Sequence, residues 1–154
     1  MTAQKKRNKA YRPKPPGEQL LKTQPWKVAA VFNPLIAILD QLEQDGTIDT
    51  ATDGQPIFKD HNDGHWYDTA VAVMGVVDAY AMHEARRGIN LGLPALRQLA
   101  NKLSYGMPIF DTDTYACREC LKRMKAETMN MTADYARELI VDFQIKEELM
   151  KEAA

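Results

Sequence analysis

A mainly α fold, a bundle of four to five helices with a small β-hairpin or meander inserted after the first, is predicted by three features of this sequence. Apolar residues recur at a 3.6-residue spacing in five separate stretches. Helix-starting and helix-stopping residues stand at the ends of those stretches. One interval, residues 47–67, breaks the pattern with two Asp-Gly turn signals among β-forming residues. With 154 residues, 45% of them apolar and 27% charged, the chain fits one domain with a sizeable core. The expected organisation is a basic, disordered arm over 1–24 followed by a single helical domain over 25–154.

The arm comes first. Pro13, Pro15, Pro16 and Gly17 oppose helix, and dense charge opposes collapse. Residues 12–16 suit an extended polyproline conformation, with Leu20 and Leu21 as the first anchor to the body. Residues 25–44 form the first helical stretch, with Trp26, Ala29, Ala30, Phe32, Leu35, Ile36, Leu39 and Leu42 in phase. Pro34 falls inside it. Either Asn33 caps a fresh helix that starts at Pro34, which is the preferred reading, or one helix kinks there. Gly46 ends the stretch.

Over 47–67 the expectation is a hairpin or three-stranded meander lying across the helices, with Ile48, Ile57, Phe58 and Trp66 turned inward. The most apolar helix is expected over 68–87, capped by Asp68 or Thr69 and stopped by Gly88. Its apolar set, Val71, Val73, Met74, Val76, Val77, Tyr80 and Met82, marks the central helix of a bundle. A shorter helix over 94–105 has Pro94 at its first position, Gly106 after it and a stripe of Leu96, Leu99, Ala100 and Leu103. A fourth, over 112–129, follows Asp111 or Asp113 as cap and turns Tyr115, Ala116, Cys120, Leu121 and Met124 to one face. The last, from Thr132 to about 151, carries Tyr135, Ala136, Leu139, Ile140, Phe143 and Leu149.

Charge is strongly segregated beneath a net of -1. Residues 1–27 hold eight bases against Glu18 alone, a local +7, and residues 40–68 hold eight acids against Lys59 alone, a local -7. The remainder is near balance. The basic arm suits counterion release from a phosphate backbone, through Lys5, Lys6, Arg7, Lys9, Arg12 and Lys14, with Tyr11 able to stack on a base. It equally suits a solvated tail or a contact with an acidic protein surface. The acidic segment suits a basic protein partner, through Asp40, Glu43, Asp45, Asp49, Asp53, Asp60 and Asp63.

Other motifs have structural explanations. Asp60, His61, Asp63 and His65 are types that bind divalent metals, but Asn62-Asp63-Gly64 is a turn sequence. Cys117 and Cys120 form a Cys-x-x-Cys on a helix, where two small buried residues are the better reading than a metal or redox pair. Arg86 and Arg87 complement the dipole at a helix C-terminus, next to His83 and Glu84. No catalytic motif or phosphate-binding Gly-rich loop is present, so no metal, no cofactor and no enzymatic activity are expected. No apolar run is long enough for a membrane span, and a cytoplasmic site is expected.

Residues 6–15, Lys-Arg-Asn-Lys-Ala-Tyr-Arg-Pro-Lys-Pro, resemble the start of many small accessory proteins of tailed bacteriophages and prophages. Residues 54–60 and 65–70 resemble such proteins too. The resemblance implies a phage accessory protein acting inside the host cell by binding, with no catalytic or binding residue carried over. The expected function is therefore non-catalytic binding to a host or phage protein, inhibitory or host-modulating, through the acidic surface. Nucleic-acid binding through the arm is the alternative.

Overall fold

The computed structural model describes residues 14–153. Five helices follow in order: α1 (Pro25–Asp45), α2 (Thr69–Arg87), α3 (Pro94–Ser104), α4 (Asp111–Met129) and α5 (Ala133–Ala153). A two-stranded antiparallel hairpin, β1 (Ile57–Lys59) and β2 (Trp66–Asp68), stands between α1 and α2. The helices pack in the sequence α1 on α4, α4 on α3, α3 on α2 and α2 on α5. An edge-on contact of the Phe32 and Tyr80 rings, 6.3 Å between centroids, joins α1 to α2 across the core. Phe32, Leu39, Val73, Val77, Leu96, Leu99, Cys117, Cys120 and Met124 fill its centre.

The chain reaches α1 through two 3-10 turns, Pro16–Glu18 and Leu21–Thr23. Leu21 is buried, its N–H donates to the carbonyl of Met131 at 2.8 Å, and the Gln24 amide donates to the carbonyl of Pro16 at 2.9 Å. The end of the stretch assigned to the arm is thus folded onto the body. Residues 1–13, which carry most of the arm's charge, lie outside the described residues.

α1 is one helix that runs through Pro34, which corrects the preferred expectation of a fresh helix capped by Asn33. Proline has no N–H to give the carbonyl four residues back, which here belongs to Ala30. The side-chain amide of Asn62, in the hairpin loop, donates to that carbonyl at 3.0 Å. A residue 32 positions away replaces the missing helical bond, so the helix continues and the hairpin loop is tied to it. The buried seam of α1 is Val28, Phe32, Leu35, Ile38, Leu39 and Leu42. Trp26 and Ala30 were expected in phase but lie off this seam and are exposed.

The hairpin loop is built from its own side chains. Asp60 Oδ1 accepts from the N–H of Asn62, and Asp63 Oδ1 from that of His65, each at 2.9 Å. Gly64 takes the left-handed conformation, φ 75°, that the return requires. The third extended stretch makes only one bridge, Thr50 to Pro56, so the meander reduces to a hairpin with a short extension. Ile48 is buried, Ile57 and Phe58 are half-buried, and Trp66 is 53% exposed. The inward assignment of Trp66 is corrected: the two short strands leave this indole more than half exposed, beside α1 rather than in the core.

The Asp68 carboxylate caps α2 by accepting from the N–H of Val71 at 3.0 Å, and Gly88 ends the helix in the left-handed conformation. Val73, Val77 and Tyr80 are buried, while Val71 projects outward. In α4, the buried face is Thr114, Cys117, Cys120, Leu121, Met124 and Thr128. Tyr115 and Ala116, expected on that face, fall between its turns and are exposed. Asp113 helps to start α4 from inside it, by reaching back to the N–H of Phe110 at 2.8 Å. Thr132 caps α5, accepting from the N–H of Tyr135 at 3.1 Å. Leu139 is the last buried residue of α5, and Ile140 and Leu149, expected on its stripe, are exposed.

The Pro34–Asn62 tie generates a double-mutant test. Asn62→Ala leaves the Ala30 carbonyl without its protein donor and should cost on the order of 0.5–1 kcal/mol in urea unfolding. In a Pro34→Ala background residue 34 regains its N–H, and the same change should cost almost nothing. Equal costs in both backgrounds would show that Asn62 does not replace the lost helical bond.

Candidate binding surfaces

The seven carboxylates expected to form one acidic face are divided by the fold. Asp40 and Glu43, one turn apart on α1, both turn to α4, where Arg118 meets Asp40 at 2.6 Å and Glu43 at 2.7 and 2.8 Å. The guanidinium holds the Glu43 carboxyl below its ordinary range, and the two acids raise the Arg118 guanidinium. These two acids act as a clamp between helices. Asp53 Oδ1 accepts from the N–H of Gln55 at 3.0 Å and shapes a turn. Asp63 accepts from the Tyr67 hydroxyl and the His65 N–H, and those bonds, the hydroxyl's foremost, lower its pKa. Asp45 lies exposed at the end of α1.

Asp49 and Asp60 are brought together. Both line a groove of about 480 Å³ between α1 and the hairpin. Its floor is Pro34, Ala37 and Ile38 of α1 with Phe58, and its wall is the exposed indole of Trp66. Asn33, Gln41, Lys59, His61 and Asn62 complete the rim. The groove exists because the Asn62 bond draws the loop onto α1 beside the proline. Trp66 is the residue that sequence reasoning assigned to the core and the fold places at a site. The available signal was the six-residue loop between the strands, which sets Asp60 and Trp66 at opposite ends of one turn.

Of the residues expected to meet nucleic acid, Lys5, Lys6, Arg7, Lys9, Tyr11 and Arg12 lie outside the described residues, and Lys14 is exposed. His61 and His65 are exposed on the hairpin loop, whereas Cys117 and Cys120 are buried free thiols in the helical core. Among the described residues, no three His, Cys, Asp or Glu side chains converge as a metal site requires. Burial pushes the Cys117 thiol up to about 12 and the Cys120 thiol up to about 11, so neither is a thiolate near neutral pH.

The most buried titratable imidazole belongs to His83, 2% exposed near the end of α2. Its Nδ1 lies 2.8 Å from the Tyr135 hydroxyl of α5, and its Nε2 lies 3.9 Å from Glu127 of α4. Arg87 and Arg86 approach the Tyr135 ring at 5.3 and 6.0 Å, and Arg86 pairs with Asp142 at 2.6 Å. Burial lowers the His83 pKa. Glu127 opposes that effect, and the two arginines add to it. This cluster fastens three helices around a buried imidazole, so it reads as structural.

No helix among the described residues is long and apolar enough to cross a membrane. No protein-family model, curated protein or solved structure matches this chain.

The His83 cluster makes stability pH-dependent. The folded pKa lies below the ordinary 6.5, so the unfolded chain takes up the proton first as pH falls. The contribution is complete above about pH 6.5 and is lost as pH falls through the folded value. Urea midpoints should therefore decrease from pH 7.5 to pH 5.5, and His83→Gln should flatten that dependence. A wild-type midpoint that does not change over this range would contradict the assignment.

Proposed function

We propose that this protein works by non-catalytic binding of a protein partner, and that it grips a Lys- or Arg-bearing segment of that partner in the groove between α1 and the hairpin. The observation that carries this reading is the juxtaposition of Asp49 and Asp60 with the exposed Trp66 over an apolar floor. An indole face attracts a guanidinium or ammonium, and flanking carboxylates pair with the same group. The floor accommodates the aliphatic stem of the side chain. The other acids of the 40–68 segment keep the surrounding potential negative, which favours encounter with a basic partner. The likeness of the arm to phage and prophage accessory proteins supports a setting in the host cytoplasm, with a host or phage protein as partner.

Nucleic-acid binding through Lys5–Lys14 is the competing reading, and the fold makes it separable. The body begins at the Pro16–Glu18 turn, so residues 2–13 can be removed without touching described packing. A labelled Arg- and Lys-rich peptide should bind the full chain with an affinity that falls as salt rises. Asp49→Asn combined with Asp60→Asn, and separately Trp66→Ala, should each weaken it by about tenfold, near 1.4 kcal/mol. Deletion of 2–13 should leave peptide binding intact or stronger. Unchanged peptide affinity in both groove variants, with tight nucleic-acid binding abolished by the deletion, would overturn the proposal in favour of the arm.

A further inference from the structure

A second surface lies on α5. α5 packs chiefly on α2 and on the Pro16–Glu18 turn, and beyond Leu139 no side chain among the described residues is fully buried. Val141, Ile145 and Leu149, spaced four apart on one face, are 45%, 53% and 61% exposed. Apolar side chains at this spacing form a stripe suited to another helix. Nothing in the described fold covers it.

Charge identifies what fits. Glu138, Glu148 and Glu152 share the outward side of α5 with the stripe, while the Asp134 carboxylate lies against Gly17 of the Pro16–Glu18 turn. Of the three bases of α5, Lys146 and Lys151 line a groove between α5 and α2 together with Glu147, and Arg137 stands one turn before Val141 beside Asp134. Arg137 and Lys151 reach Asp134 and Glu148 only at 4.0 and 3.8 Å, and Glu138 and Glu152 form no ion pair among the described residues. A second copy laid on this stripe would oppose carboxylates to carboxylates, which is destabilising. A helix with apolar residues at the same spacing and Lys or Arg on its flanks would bury the stripe and pair the acids.

We infer that the outward face of α5 docks a basic amphipathic helix of a partner protein. The site is separate from the α1–hairpin groove and does not depend on it. The probe is a designed helical peptide with Leu at heptad a and d positions and Lys on its flanks. Two controls accompany it, one with the Leu positions scrambled and one with Lys replaced by Glu. Anisotropy with the full chain should show the first peptide binding about tenfold or more tightly than the scrambled control, whose lysines can reach only the α1–hairpin groove, and no binding of the Glu control. Ile145→Ser with Leu149→Ser, and separately Glu138→Gln with Glu152→Gln, should each weaken binding by about tenfold or more. Asp49→Asn with Asp60→Asn should leave it unchanged, which separates this site from the groove. The substituted residues are exposed, and melting temperatures close to wild type would verify the fold. If the Ser variant fails to fold, the Gln variant carries the test. Equal binding of the scrambled peptide, or wild-type affinity in the folded variants, overturns the inference. So does a wild-type dimer in sedimentation that Ile145→Ser with Leu149→Ser dissolves, since a second copy would then occupy the face.

Discussion

A missing hydrogen bond in α1 organises one side of this molecule. Pro34 leaves the carbonyl of Ala30 without its helical donor, and Asn62 supplies one from the hairpin loop. A two-stranded hairpin is marginal by itself. Here it is held at both ends: at its loop by this bond, and at its base by the N–H of Thr69 on the carbonyl of Pro56 and by the Asp68 cap on α2. The groove between α1 and the hairpin is the space those two attachments leave. Its carboxylates and its indole hold their relative positions because the loop is fixed to the helix.

The same economy governs the acids. A local charge of -7 over 40–68 looks from composition like one continuous face. The fold uses Asp40 and Glu43 to bind Arg118, and Asp53, Asp60, Asp63 and Asp68 to satisfy backbone N–H groups at turns and a helix start. These carboxylates lower the cost of forming sharp turns and helix ends, where backbone donors would otherwise be left unpaired. What remains open to a ligand is a small subset, concentrated by the groove rather than spread along the segment. Most of the arm's positive charge lies outside the described residues.

Helix number, order and stops were legible in the sequence because each rests on local chemistry: Asp68 and Thr132 as caps, Pro94 at a first position, Gly88 and Gly46 in left-handed C-caps. Three things were not. The continuity of α1 through Pro34 depends on a donor 28 residues further along the chain, which no local window contains. The exposure of Trp66 depends on the hairpin having no second layer. The exposure of Ile140 and Leu149 depends on where α5 outruns the surface it packs on. All three are tertiary facts, and two of them define the proposed binding surfaces. Of the groove, Asp49 and Asp60 were named from charge, while Trp66 and Phe58 were read as core.

A basic ligand received by the groove, and not by the acidic segment at large, would leave a local footprint. The most direct measurement is a titration of isotopically labelled protein with an Arg- and Lys-rich peptide, followed by backbone amide and indole chemical shifts. Saturable shifts are expected at the Trp66 indole and in residues 33–41 and 58–62, with Asp40 and Glu43 still holding Arg118. Small shifts spread evenly over every exposed acid, with none at the Trp66 indole, would contradict groove binding.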